Sequence, residues 1–151
     1  MLSYRSFSGF AERQSEKESG KLGDFRAASY QRYQGEKLAN RFNAFSYYVL
    51  SQSMDAHNIG RGRGTMEKAL QQIRAATLVI GIETDILFPL TEQRFLAAHI
   101  PGAVYATISS AYGHDGFLLE YDAISAQILD FIENEKKSGP RMESIKMYGN
   151  T

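Results

Sequence analysis

Two apolar runs of β-branched residues, separated by a helical pattern, constrain the fold of this chain more than any other feature. The runs are "ATLVIGIE", residues 76–83, and "AVYATISS", residues 103–110, and "LTEQRFLAAHI" lies between them. Helical patterns also precede the first run, in residues 65–75, and follow the second, in residues 116–137. Continuous apolar strands that alternate with helices are typical of a parallel sheet covered by helices, an α/β fold. Since two strands are too few for a stable sheet, either further strands lie in the first half or the chain is part of something larger.

The first half of the chain is polar, and its aromatic and aliphatic residues recur at helical spacings of three and four. We expect two or three helices there, interrupted or bent at Gly35. The loop "NIGRGRG", residues 58–64, is interpreted as a connector. Phosphate binding by its amides and guanidinium groups is the alternative, although the phosphate-loop signature is absent. We therefore predict a helical segment at 1–64, an α/β core at 65–138 and a loose tail at 139–151.

Composition excludes several classes of function. The chain has 17 basic and 17 acidic residues, so nothing predicts a nucleic acid or an anionic membrane as partner. It has no cysteine, which excludes disulfides, zinc–thiolate sites and a cysteine nucleophile, and fits a cytoplasmic protein. Histidine chemistry is confined to His57, His99 and His114, of which the first two are interpreted as helix-end residues. No metal site is predicted.

Ligands of a parallel α/β sheet gather outside the carboxyl ends of its strands. The loop "ETDILFP" after the first strand offers Asp85, and "SAYGHDG" after the second offers His114. Adjacent parallel strands would place these loops side by side, so a carboxylate–imidazole hydrogen bond is expected. Such a pair lets the imidazole deprotonate a hydroxyl nucleophile, and the order acid then histidine is that of α/β-hydrolases. The alternative is structural: Asp85 caps the following turn and His114 is a turn residue.

A nucleophile does not follow from the sequence. The elbow motif of that fold is G-x-S-x-G on a strand-to-helix turn, and no segment of the chain matches it. Ser8 in "SFSGF" precedes a glycine but lacks the glycine two residues before it. We therefore predict an acid and a base without a nucleophile in the same chain.

Four motifs in order resemble the C-terminal part of homoserine O-acetyltransferases. They are "YQGEKLANRFNAFSYYVLSQSMDAHNIGRGRG", "TLVIGIETDILFP", "EQRFLAAHIPGA" and "YGHDGFLLE". The resemblance runs from about Met1 to about Phe131 and implies the α/β-hydrolase fold, here with an incomplete sheet.

The resemblance also implies roles for particular residues. Asp85 matches the acid of the family's Ser–Asp–His triad, and His114 matches its base. Asp115 matches a carboxylate that binds the amino group of homoserine, and Tyr4 matches a tyrosine that lines the substrate site. The helices of residues 25–58 match a lid that covers the active site and builds a homodimer contact.

The implied reaction transfers an acetyl group from acetyl-CoA, a co-substrate rather than a bound cofactor, to L-homoserine in methionine biosynthesis. The family's nucleophilic serine, oxyanion loop and substrate-carboxylate arginine are expected upstream of Met1. An upstream half would then carry the nucleophile, and this chain alone would be inactive. The alternatives are an esterase of the same fold, a related serine or homoserine acyltransferase with another donor, and a non-enzymatic remnant.

Overall fold

The computed structural model describes residues 4–16 and 25–138, so the predicted loose tail at 139–151 lies outside the described residues. The helices and strands follow in chain order: α1 Phe7–Gln14, α2 Arg26–Arg41, α3 Ala44–Asp55, α4 Met66–Leu70, β1 Leu78–Ile82, α5 Leu90–His99, β2 Val104–Ile108, a 3₁₀ turn Gly113–Asp115, α6 Gly116–Leu119 and α7 Tyr121–Ser138.

The two strands form a parallel sheet, as the apolar runs predict. β1 and β2 pair in register from Leu78 opposite Val104 to Ile82 opposite Ile108, and α5 makes the crossover between them. The Glu83 N–H continues the ladder by donating to the Ile108 carbonyl at 3.0 Å. Both strands therefore end at the same edge, and the predicted incomplete α/β sheet is confirmed for the described residues.

The buried apolar core lies around this small sheet. Its members come from both strands, from α4 and from the end of α5: Ala69, Leu70, Val79, Ile82, Ile100 and Ile108. α4 has a Thr65 cap whose hydroxyl accepts from the Lys68 N–H at 3.3 Å, as the cap preferences of threonine favour. Ile82 and Ile108, the last residues of the two strands, are both buried. Their packing holds in place the points from which the following loops begin.

The helical half differs from the prediction at Gly35. α2 runs without interruption from Arg26 to Arg41 and therefore through Gly35. A Cβ added at Gly35 would meet no atom within 4 Å apart from the backbone of its own helix. An exposed glycine costs a helix about 1 kcal/mol relative to alanine, too little to end a helix of this length. The chain breaks instead at Asn43, whose side chain accepts from the Ser46 N–H at 2.8 Å and starts α3.

Two predicted helices in the core are also corrected. The pattern at residues 65–75 gives only Met66–Leu70, because the Gln72 and Ile73 N–H groups donate to carbonyls three residues back and tighten the turn. The single closing helix expected from Gly116 is divided at Glu120, whose backbone leaves the helical region (ψ 41°) between α6 and α7. After the second break, α7 packs on both strands of the sheet.

The glycine-arginine loop closes on itself. Arg61 donates to the Ala56 carbonyl at 2.9 Å, and Arg63 donates to the Ile59 carbonyl at 3.3 Å. Gly62 and Gly64 have positive φ values of 73° and 95°, which favour glycine. Because one guanidinium group bonds the carbonyl at the end of α3 and the other bonds a carbonyl of the loop itself, the geometry favours the connector over the phosphate-binding alternative.

Large apolar side chains remain exposed, above all on α3. Phe45 is 83% exposed and Met54 75%, and four residues between them are more than half exposed: Tyr47, Tyr48, Val49 and Leu50. Despite this apolar surface, no helix within the described ranges 4–16 and 25–138 has the length and apolar content to cross a membrane.

Candidate active site

Asp85 and His114 meet at the shared carboxyl edge of the two strands. His114 Nδ1 lies 2.7 Å from Asp85 Oδ2. Asp85 follows β1 by three residues, and His114 lies in the 3₁₀ turn that follows β2. The expected carboxylate–imidazole contact is therefore present, and it joins two loops that are 29 residues apart.

The carboxylate of Asp85 is held by its own loop. Its Oδ1 accepts from the backbone N–H groups of Leu87 at 2.8 Å and Phe88 at 3.0 Å, and the residue is only 7% exposed. Burial alone would raise the pKa of Asp85, but the hydrogen bonds from Phe88, His114 and Leu87 together outweigh it and lower the pKa below its usual value. Asp85 is therefore an anion at neutral pH, and it both caps its turn and faces His114.

The charge of Asp85 decides the tautomer of His114. An ionised carboxylate is only an acceptor, so His114 Nδ1 must carry the proton and donate it. In the neutral imidazole, Nε2 is then the acceptor. Among the described residues, none forms a hydrogen bond with Nε2. The pair thus presents a base whose tautomer suits removal of a proton from a hydroxyl group.

Three aromatic rings surround the imidazole of His114. Ring centroids lie 5.2 Å away for Tyr4, 5.1 Å for Phe88 and 5.1 Å for Phe117. Each of these rings is about half exposed, while the His114 side chain is only 17% exposed. The three rings therefore cover the imidazole, and their exposed halves form an apolar surface around it.

Asp115, next to the histidine, has a cationic partner. Arg5 Nε lies 3.3 Å from Asp115 Oδ2, and the same guanidinium lies 5.1 Å from the ring centroid of Tyr30 in α2. The pocket on this side of Asp115 is about 20 Å³ in volume and is lined in part by Arg13 and Tyr112, which is room for about one water molecule. Asp115 is thus anchored through Arg5 to the helical half of the chain.

The segment before α1 packs backbone against backbone on the histidine loop. The hydroxyl of Ser6 accepts from the Gly9 N–H at 3.0 Å and donates to the Ala111 carbonyl. Gly113 has φ +64°, and a Cβ there would lie 2.5 Å from the Ser6 nitrogen. Only glycine fits this contact. The close approach holds the N-terminal segment on the turn, and Tyr4 of that segment lies against the imidazole.

Sequence reasoning missed the neighbours that complete the site: Arg5, Phe88 and Phe117. Arg5 is adjacent to Tyr4, and Phe88 lies in the Asp85 motif, but the sequence spacing of neither residue predicts which side chain it contacts.

The other histidines fit their structural interpretation. His99 Nδ1 lies 2.8 Å from the Phe95 carbonyl oxygen of its own helix. The backbone N–H of His57 donates to the Met54 carbonyl at 3.0 Å at the end of α3, and no hydrogen bond of its side chain is found within the described ranges. Residues 4–16 and 25–138 hold no group of three or more metal-ligating side chains.

Comparison with known proteins places the chain in a family. It is 52% identical over 135 residues to the homoserine O-acetyltransferase of Cyclobacterium marinum, a match that covers 89% of this chain and 38% of the relative. Proteins of the same name from Clavibacter michiganensis and Thermus thermophilus are 47% and 48% identical over 74% and 86% of this chain, and 30% and 32% of their own lengths. The chain therefore spans about a third of the length of these relatives, as expected for a portion of the family sequence. No protein-family model matches it.

The solved structure of esterase E22 matches with a TM-score of 0.73 at 19% identity, over 86% of this chain and 39% of the esterase. That likeness concerns the fold alone, and it identifies the incomplete sheet as part of an α/β-hydrolase fold. Over the segment that it spans, the chain belongs to the homoserine O-acetyltransferase family.

Proposed function

We propose that this chain supplies the acid and the base of a Ser–Asp–His triad that transfers an acetyl group from acetyl-CoA to the hydroxyl of L-homoserine. The observation that carries the proposal is the 2.7 Å contact between His114 Nδ1 and Asp85 Oδ2 in a chain of this family. The nucleophilic serine is supplied by protein outside these 151 residues, since no G-x-S-x-G occurs among them. The reaction belongs to methionine biosynthesis in the cytoplasm.

In the first half-reaction, His114 Nε2 takes the proton of the serine hydroxyl while the serine Oγ attacks the thioester carbonyl. The C–S bond breaks, and the proton passes from Nε2 to the sulfur of CoA. An acetyl ester on the serine and free CoA thiol remain. Asp85 stabilises the imidazolium that forms between these two proton transfers.

In the second half-reaction, His114 Nε2 takes the proton of the homoserine hydroxyl, whose oxygen attacks the acetyl ester. The bond from the acetyl carbon to the serine Oγ breaks, and the serine oxygen recovers the proton from His114. O-acetylhomoserine leaves, and no net proton is gained or lost. Water would hydrolyse the acetyl ester by the same route, so the site has to exclude it.

Two side chains beside the base would orient homoserine. Asp115 is an anion suited to the ammonium group of the substrate, and Arg5 holds its Oδ2. The space on the Arg5 side has room for about one water, so homoserine would reach Asp115 from the His114 side. Tyr4, at 5.2 Å from the imidazole centroid, would form one wall of that approach.

The helical segment 1–64 would serve as the lid that excludes water. Tyr30 of α2 contacts the guanidinium of Arg5, which links this segment to Asp115. The exposed apolar face of α3 would make the homodimer contact of the intact enzyme. In this division, residues 65–138 form the catalytic α/β core.

A chimera tests the proposal. This chain replaces the matching 135-residue segment of the Cyclobacterium marinum relative, and the unaltered relative serves as the positive control. We expect the chimera to form O-acetylhomoserine from acetyl-CoA and L-homoserine. His114→Gln should lower kcat by on the order of 10⁶-fold, as removal of a triad histidine does in a serine protease.

His99→Gln is the matched control, because that histidine bonds its own helix and should leave activity near that of the parent chimera. A folded chimera that keeps its activity with His114→Gln would contradict the proposal. Acetate release without preference for homoserine would favour an esterase, and product with succinyl-CoA or serine would favour a related acyltransferase. No turnover by a folded chimera beside an active control would favour the non-enzymatic remnant.

A further inference from the structure

We propose that Thr84 is a positioning residue that sets the His114 imidazole against Asp85, and this proposal deepens the proposed function at the same site. The hydroxyl of Thr84 donates to the Ser110 carbonyl at 2.7 Å. It also accepts from the Gly113 N–H at 2.9 Å. One hydroxyl thus joins the loop that carries Asp85 to both ends of the turn that leads into His114.

The position of Thr84 gives it direct control over both members of the pair. It precedes Asp85 in the chain, and its two partners precede His114 by four residues and by one. The hydroxyl uses its single proton on one partner and a lone pair on the other. A serine hydroxyl, at the same distance from the backbone, offers the same donor and acceptor.

The turn needs an external partner because its own geometry leaves the Gly113 N–H unpaired. Gly113 is buried and is the first residue of its 3₁₀ turn, and the first N–H groups of a helical turn have no partner within it. A buried N–H without an acceptor destabilises the folded state, because it loses its hydrogen bond to water and gains none in the protein. The Thr84 hydroxyl removes that destabilisation and at the same time fixes the residue directly before His114.

The other side of the same turn is already fixed. The Tyr112 N–H donates to the Ser110 hydroxyl at 3.1 Å, and the Ser6 hydroxyl donates to the Ala111 carbonyl. These contacts hold the turn to itself and to the N-terminal segment. Besides the Asp85–His114 bond itself, the two bonds of Thr84 are the side-chain hydrogen bonds found between this turn and the Asp85 loop among the described residues.

Loss of the hydroxyl should therefore loosen the imidazole without removing the base. A misplacement of about 1 Å in an active site can cost about 100-fold in rate. In the chimera, Thr84→Val should lower kcat for homoserine acetylation by about 10- to 100-fold with a smaller change in KM, and Thr84→Ser should restore most of it. Thr77→Val is the matched control, since that hydroxyl bonds only the nearby Ala75 carbonyl at 2.9 Å.

The deciding measurement uses the chimera and needs no turnover. In nitrogen-15 NMR spectra of the chimera with Thr84 unchanged, the His114 Nδ1–H should be visible and slow to exchange, and the Gly113 amide should be protected. Thr84→Val should broaden or lose the Nδ1–H signal, while Thr84→Ser and Thr77→Val keep it. An unchanged Nδ1–H signal in folded Thr84→Val would overturn the proposal.

If Thr84→Val does not fold, hydrogen exchange of the Gly113 amide in the chimera with Thr84 unchanged decides instead. Protection well above that of exposed loop amides supports the bridge, and exchange at the unprotected rate refutes it. The outcome is separable from that of the proposed function. Normal spectra in folded Thr84→Val with inactive His114→Gln would refute the positioning role alone, and the reverse pair of results would refute the triad alone.

Discussion

Replacement of Asp85 by asparagine separates the chemical role of the carboxylate from its structural one. Asparagine keeps an Oδ1 that accepts from the Leu87 and Phe88 N–H groups, which lie at 2.8 and 3.0 Å. Its amide nitrogen replaces Oδ2, 2.7 Å from His114 Nδ1, so two N–H donors would face each other. The imidazole avoids this by moving its proton to Nε2, and it then cannot accept a proton from a hydroxyl group.

The magnitudes distinguish a wrong tautomer from a damaged fold. One lost hydrogen bond to a charged group costs about 1.5–3 kcal/mol of folding stability. The equivalent substitution in a serine protease lowers kcat about 10⁴-fold, which corresponds to about 5.4 kcal/mol of activation free energy. Asp85→Asn in the chimera should therefore lose about 10⁴-fold in kcat while its unfolding free energy falls by no more than about 3 kcal/mol. Asp85→Ala also strands two backbone donors and should be less stable than Asp85→Asn.

The rate of product formation is measured through the CoA thiol that is released, and the unfolding free energy is measured by urea unfolding of the same samples. Asp130→Asn, an exposed carboxyl group in the middle of α7, is the matched control and should change neither quantity appreciably. Activity of a folded Asp85→Asn chimera within about tenfold of the parent would refute the tautomer argument.

The remaining predictions concern stability, substrate binding and association. The pKa of Asp85 in the folded chain lies below that of an unfolded aspartate, which is about 3.9. The Asp85 carboxylate should therefore stabilise the fold at pH values above about 3.9, and this stabilisation should be lost as the pH falls from there through the lowered pKa. In urea unfolding, the difference in unfolding free energy between the parent and Asp85→Asn should shrink over that pH range, and a constant difference would contradict the prediction. Gly113→Ala should destabilise the chain by more than about 1–2 kcal/mol, since φ is +64° and backbone lies 2.5 Å from the new Cβ; its control Gly35→Ala, with open space around it, should stabilise by about 0.4–1 kcal/mol, and equal effects would refute the close packing. Arg5→Gln in the chimera should raise KM for homoserine by at most about fivefold, because a partly exposed ion pair contributes about 0–1 kcal/mol; an equal rise in KM for acetyl-CoA would argue against a role beside the amino group. The exposed apolar face of α3 should make the 151-residue chain self-associate in light scattering, and a monodisperse monomer would contradict this.

The contact at the centre of the site was predictable because it depends on topology. Parallel strands joined by one crossover end at the same edge, so two polar loops 29 residues apart had to meet once the strands were identified. The tight pairing of β1 and β2 in register leaves little freedom at their ends. A residue type at each strand end was therefore enough to predict the Asp85–His114 bond.

The supporting contacts were not predictable, because they depend on backbone detail that periodicity does not encode. The Thr84 bridge depends on where the turn places the Ser110 carbonyl and the Gly113 N–H, and the Arg5–Asp115 ion pair requires the N-terminal segment to lie on the histidine loop. The helix errors have a similar origin. Local propensity overstated the break at Gly35 and missed the one at Glu120.

Intact-mass spectrometry of the chimera tests most directly whether the base in this chain activates a serine elsewhere in the protein. With acetyl-CoA alone, we predict that the protein gains the mass of one acetyl group, and that L-homoserine then discharges it as O-acetylhomoserine faster than water does. His114→Gln should show no acetylated species, while His99→Gln behaves as the parent. Acetylation that persists in folded His114→Gln, or discharge that does not depend on homoserine, would contradict the account.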